Sequence, residues 1–225
     1  MTTVSDLITR CSVTLKDPEN VRWTVPELVS YADEAQKELA RLPGAYVKTV
    51  VLTLEAGTKQ ALPSDTFLLV SAVRNWDTEN DGPLQPIRIT TRGILDSVDP
   101  MWHMERQKPY VENYVYDDRS RKEFFVYPPN DGTGAIEIQY SAVPATLTSA
   151  QDEIVLGEEY VLPMIFYILF RAYNKDSDYS GGFGLAQSYY QSYVQTSQMA
   201  AQAVGSNTPN ASLVKGPFKP NGGNE

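Results

Sequence analysis

Val161-Leu162-Pro163-Met164-Ile165-Phe166-Tyr167-Ile168-Leu169-Phe170 is the longest apolar run of the chain. As a helix its ten residues cover about 15 Å, half the roughly 30 Å of a bilayer's hydrocarbon core, so the run reads as a buried helix and not a membrane span. Helical spacing extends it over residues 157–174, with Pro163 tolerated in the first turns. Apolar on most sides, this helix is expected at the centre of a bundle. Downstream, residues 175–184 read as a loop. A last helix is then expected over 185–204, with Leu185, Tyr189, Tyr193, Thr196 and Met199 along one side.

Upstream, Val4, Leu7, Ile8, Cys11 and Leu15 recur at three- and four-residue spacing, which predicts a helix over 4–15 with Cys11 in the core. Asp17-Pro18 breaks it. Thr24 starts a second helix, with Glu27 at the spacing of a capping box and Pro26 in the first turn. Leu28, Tyr31, Ala35, Leu39 and Leu42 form its apolar stripe, and Pro43-Gly44 ends it. From Ala45 to Pro144 the pattern changes to short β-branched and aromatic runs separated by Gly, Pro, Asn and Asp, as antiparallel strands require. Strands are expected near 46–55, 68–76, 86–90, 110–116, 123–127 and 135–141, with a short helix over 92–98. In the last strand Ile136, Ile138 and Tyr140 alternate with Glu137 and Gln139. The predicted fold class is α+β: a helical bundle formed by both chain ends (1–44 and 149–205), an inserted antiparallel β domain (45–148) and an extended C-terminal tail (206–225) rich in Asn, Gly and Pro.

Lysine and arginine number 19 against 28 aspartates and glutamates, a net charge of −9. That leaves no broad basic surface to release counterions from phosphates, which argues against general nucleic-acid binding. The lone cysteine, Cys11, cannot pair within the chain, so a reducing cytoplasm fits better than secretion. Residues 1–16 alternate polar and apolar side chains, unlike a secretory signal.

Catalytic and metal chemistry find little to work with. His103 is the single histidine, so a Ser-His-Asp or Cys-His arrangement has one candidate base, and its place between Trp102 and Met104 reads as packing or surface. One Cys and one His cannot build a structural zinc site. Asp77, Glu79, Asp81 and Gly82 imitate the start of a calcium-binding loop, but the twelfth position is Arg88 and strands flank it, so an acidic turn is expected. Gly181, Gly182 and Gly184 lack the third glycine of the dinucleotide fingerprint and a strand feeding the turn, which leaves a flexible lead-in to the last helix. Asp117 and Asp118, adjacent on an extended chain, point to opposite faces and read as a solvated hairpin turn. No catalytic, cofactor-binding or metal-binding residue is expected, and no cofactor.

Tyrosine stands out instead, with 14 in the chain. Tyr110, Tyr114, Tyr116, Tyr127 and Tyr140 fall in the β domain, and Tyr189, Tyr190 and Tyr193 on the last helix. Tyrosine buries a large apolar body while keeping a polar tip, which suits protein interfaces. Tyr189 and Tyr193 share a face, whereas Tyr190 lies about 100° away in helical projection and points toward a neighbouring subunit or solvent.

A series of stretches runs in order along most of the chain: Arg22-Trp23-Thr24 with Glu34; Ala56-Gly57-Thr58-Lys59-Gln60-Ala61-Leu62-Pro63; Val73-Arg74-Asn75; Leu95-Asp96 with Pro100 and Trp102; Phe125-Val126-Tyr127-Pro128-Pro129. Ile138-Gln139-Tyr140-Ser141 with Pro144 follows, then Phe170-Arg171-Ala172-Tyr173-Asn174-Lys175-Asp176 with Ala186 and Tyr189-Tyr190. By these residues the sequence resembles the head-to-tail adaptor, or connector, proteins of short-tailed bacteriophages, called tail tubular protein A in one branch. The resemblance implies a non-enzymatic virion protein of the neck, assembled in the host cytoplasm. Twelve identical subunits would form a ring beneath the portal protein, continue the DNA channel and support the tail nozzle and fibres. Twelve chains at −9 each carry a formal −108, and an acidic lining lets DNA slide through without specific binding. The resemblance also implies attachment to the portal through the C-terminal segment, which here offers Leu213, Val214 and Phe218. With Tyr189, Tyr190 and Tyr193 these are the candidate contact residues. Alternatives are another neck or tail ring subunit, such as a head-completion or nozzle protein, and a carbohydrate-binding or hydrolytic tail protein whose Tyr- and Trp-bearing strands stack on sugars.

Overall fold

Thr3 opens the first helix by reciprocal capping. Its Oγ1 accepts from the Asp6 N–H at 3.3 Å, while the Asp6 carboxylate accepts from the Thr3 N–H at 2.9 Å. The computed structural model describes residues 2–175 and 182–206 and has an α+β fold. In chain order the elements begin α1 (Val4–Leu15), α2 (Val25–Leu39), β1 (Val47–Thr53), β2 (Gly57–Ala61), β3 (Thr66–Asp77), β4 (Gly82–Pro86) and β5 (Arg88–Ile89). They continue α3 (Arg92–Val98), β6 (Asn113–Val115), β7 (Glu123–Asn130), β8 (Ala135–Ala142), α4 (Val161–Lys175) and α5 (Gly182–Ser206). The described residues fall into two compact units, one drawn from residues 2–45, 145–175 and 182–206, the other Tyr46–Pro144.

In the helical unit α4 packs against α1, α2 and α5. It buries Met164, Ile168, Leu169 and Ala172, and α1 buries Val4, Leu7, Ile8, Cys11 and Leu15. After α1 the chain turns on Asp17, whose carboxylate accepts from the N–H groups of Val21, Arg22 and Trp23 at 3.0, 2.9 and 3.1 Å. The Trp23 N–H foremost, with those of Val21 and Arg22, holds this carboxyl below its ordinary value of 3.8. A lowered folded value means that the stabilisation is complete above 3.8 and is lost as pH falls through the folded value. Asp17→Asn is therefore expected to flatten the fall of melting temperature with acidification in that range. An unchanged acid slope in the variant counts against this role.

The N-terminus of α2 corrects one expectation. Thr24 sits at the N-cap and Pro26 in the first turn, but the Thr24 side chain makes no capping hydrogen bond. Glu27 is drawn off instead by the Lys175 ammonium and the Tyr31 hydroxyl, each at 2.8 Å. The helix also ends at Leu39, before Pro43-Gly44. Beyond Glu38 the backbone tightens, with Arg41 N–H bonded to the Glu38 carbonyl and Leu42 N–H to that of Leu39, leaving Leu42 half-buried past the last turn.

The β unit holds two four-stranded sheets, ordered β1-β8-β3-β4 and β2-β7-β6-β5. Leu69, Ile136 and Ile138 from the first and Tyr114, Phe124 and Val126 from the second share one core. The domain is not wholly antiparallel, because β5 and β6 pair in parallel. The expected strand over 86–90 divides: β4 stays with β3, and the chain leaves that sheet at buried Ile87 to enter the other as β5. A parallel neighbour needs a crossover connection, and α3 with the 3-10 turn Trp102–Met104 supplies it before β6. The crossover is fixed by Trp102, which is 1% exposed and donates its indole N–H to Asp96 at 2.8 Å. Strand β2 lies outside the expected strands. Its inward side chain is a glutamine, Gln60, 2% exposed. The Gln60 amide accepts from the Glu55 N–H and donates to the Glu55 carbonyl, so the position is satisfied without being apolar.

The last helix starts earlier than expected, with Gly182 and Gly184 inside its first turn and not in a loop. Contacts with α4 sustain a helix that the weak helical propensity of glycine does not favour. Of the expected tail, Ser206 is the final residue of α5. Residues 176–181, with Gly181, and 207–225, with Leu213, Val214 and Phe218, lie outside the described residues.

Candidate functional site

The stretches quoted from the two ends of the chain meet within the helical unit. Trp23, 5% exposed, donates its indole N–H to the Ala172 carbonyl at 3.1 Å and sets its ring edge-on to Tyr173 at 6.4 Å. Ala172 lies in the last turn of α4, where carbonyls have no partner inside the helix, so the indole acts as a C-terminal cap. At the residue before Ala172, Arg171 pairs with Glu34 of α2, and its guanidinium lies 5.1 Å from the centre of the Tyr31 ring. Burial pushes the Tyr31 phenol up to about 12, and the Glu27 carboxylate adds to it. Helix α2 is thus joined to α4 by the Glu34–Arg171 and Glu27–Lys175 ion pairs in addition to apolar contact, and the Trp23 cap ties down the segment that leads into α2.

Aromatic rings join α4 to α5. Tyr189 stacks on Tyr173 with centroids 5.5 Å apart, and Tyr193 meets Tyr167 edge-on at 5.2 Å. Tyr190 divides its ring between Phe170, 5.1 Å away, and solvent, leaving 47% exposed. The stripe expected along α5 is rotated. Ala186, Ser197 and Ala200 are buried beside half-buried Tyr189 and Tyr193, whereas Leu185 and Met199 are exposed. The reason lies in the facing helix: α4 presents Phe166, Tyr167, Phe170 and Tyr173, and bulky rings on one helix need small residues opposite. A groove of about 250 Å³ opens beside Tyr190, between Phe170 and Phe183.

The outward side of α5 carries no charge at all. Its 25 residues contain no Asp, Glu, Lys or Arg, in a chain of net charge −9. Gln187, Gln191, Gln195, Gln198 and Gln202 are exposed at spacings of four, four, three and four, which puts them on one face.

His103, Cys11, Asp77 and Asp117 each have structural partners. His103 stacks on Trp102 at 3.6 Å, and its Nδ1 lies 2.8 Å from the Thr58 hydroxyl; burial and then Arg92 lower its pKa. Burial pushes the Cys11 thiol up to about 12, which suppresses its thiolate. Asp77 accepts from the N–H groups of Glu79 and Asn80 in the β3–β4 turn, and Asp117 from that of Arg119 in the β6–β7 turn. Among the described residues no group of three or more His, Cys, Asp and Glu side chains could hold a metal ion. Nor is any helix among them long and apolar enough to cross a membrane. A cleft of about 580 Å³ in the β unit is lined by Asn75, Gln85, Tyr110 and Val111. Asn75 is committed within it, donating to the Gln85 and Val111 carbonyls and accepting from the Val111 N–H.

No curated protein matches the chain. The family model described as SU10 adaptor protein matches residues 2–213. With nearly the whole chain covered, including both halves of the helical unit that Trp23 and Arg171 join, the chain belongs to the SU10 adaptor protein family, a family of phage adaptors.

Proposed function

We propose that this phage adaptor is a non-catalytic structural subunit of the virion neck, twelve copies of which close into a ring between portal and tail nozzle and continue the DNA channel. The observation that carries the reading is the family match over residues 2–213. It is supported by the investment of the quoted residues in packing: Trp23, Arg171, Trp102 and Gln60 each hold backbone or a neighbouring side chain in place. A rotation repeated between identical neighbours closes a ring without further parts. The acidic balance of the chain lets such a channel pass DNA without specific binding. Native mass spectrometry tests the reading directly. Twelve chains of 25.1 kDa give about 300 kDa together, and a chain that stays monomeric when the portal is present overturns the proposal.

Residues 207–225 are assigned to portal attachment, with Leu213, Val214 and Phe218 as the apolar contacts of an otherwise polar segment. Deleting 207–225 is expected to leave far-UV circular dichroism and melting temperature unchanged while weakening co-sedimentation with the portal at least tenfold. Undiminished attachment removes the assignment.

A further inference from the structure

We infer that the uncharged outer face of α5 is a contact surface for a second copy of this chain. The inference rests on the ring reading above and names the part of the subunit that makes the seam. Each of the other four described α-helices carries charged side chains: Asp6 and Arg10 on α1, Glu27 and Lys37 on α2, Arg92 and Asp96 on α3, Arg171 and Lys175 on α4. Helix α5 has none over 25 residues, a length of about 37 Å. Half-exposed helices of soluble proteins are normally solvated by charges on their outer side. Depletion of charge with retention of aromatic residues and methionine is instead the composition of an interface centre, and here Tyr190 and Met199 stay 47% and 56% exposed.

Charge selects the occupant. Identical copies at −9 each repel wherever carboxylates face carboxylates, and a neutral face lets them approach without that cost. A basic partner gains nothing from such a surface. Glutamine suits the seam because its amide both donates and accepts. The stripe Gln187, Gln191, Gln195, Gln198 and Gln202 can therefore meet either carboxylates or amides of a neighbour without an unpaired charge.

The test is the variant Gln187→Glu/Gln191→Glu/Gln195→Glu/Gln198→Glu, beside a neutral control in which the same four positions become alanine. Glutamate and glutamine have similar helix propensity, so both variants are expected to keep the far-UV spectrum of the parent. Assembly of the full chain, alone and on added portal, is followed by mass photometry across concentration. The glutamate variant is expected to need at least a hundredfold more protein to assemble, whereas the alanine control shifts less than tenfold. If the glutamate variant assembles as the parent does, the inference is wrong, whether the face is covered by residues 207–225 or turned toward DNA. An altered ejection of DNA with normal assembly counts the same way. A parent chain that never assembles with portal overturns this inference and the ring reading together, so the two failures are told apart by the parent.

Discussion

Trp23→Ala is expected to lower the stability of the helical unit by about 4 kcal/mol, within the range for emptying a buried indole site. Two losses combine. The ring is 5% exposed and packs edge-on to Tyr173, so its removal leaves a cavity beside α4. Its N–H also caps the Ala172 carbonyl at 3.1 Å, one of the last carbonyls of α4, and that carbonyl loses its indole donor. Trp23→Phe separates the terms, since it keeps most of the ring and loses the cap, and is expected to cost about 1–2 kcal/mol. Urea unfolding followed by circular dichroism measures both. If Trp23→Phe is as damaging as Trp23→Ala, the cap and not the packing dominates; if both are neutral, the joint between α2 and α4 has been misassigned. Because the outer face of α5 depends on α4 beneath it, Trp23→Ala is also expected to reduce ring assembly.

The second large effect belongs to the β unit. Asn75→Ala is expected to cost about 3 kcal/mol, because a buried hydrogen-bonding group left without its partner costs about 1–3 kcal/mol. Asn75 is 2% exposed and satisfies three backbone groups at once, the Gln85 carbonyl and both polar groups of Val111. Gln85 belongs to β4 in one sheet, and Val111 leads into β6 in the other, so this side chain is a polar strut across the core. Hydrogen exchange at Val111 and in β4 is expected to speed up in the variant well before that of α1 and α2. Uniform acceleration across both units, or no change, contradicts the strut.

Periodicity carried the parts of the fold that rest on apolar spacing. The α1 stripe of Val4, Leu7, Ile8, Cys11 and Leu15 is buried over its expected length, and α3 begins and ends where the sequence placed it. The differences share another cause: each was decided by a specific partner, near or far in the chain, that apolar spacing does not reveal. Gln60 is an inward-facing polar residue because Glu55 backbone groups meet it, so β2 shows no apolar alternation. Thr24 and Glu27 have capping-box spacing, yet Lys175 and Tyr31 claim the glutamate. Gly182 and Gly184 are helical because α4 lies alongside, and the same neighbour rotates α5 so that alanine and serine are buried while Leu185 and Met199 are exposed. The absence of charge on α5 was legible from the start, but its meaning needed the burial pattern that puts the glutamines outside.

The central claim is that this chain is a ring subunit of the phage neck, and a symmetry-resolved reconstruction of the neck in intact particles tests it most directly. Twelve copies of the chain are expected between portal and nozzle, each with the glutamine face of α5 against its neighbour. Density for this chain elsewhere in the particle, or none in the neck, contradicts it.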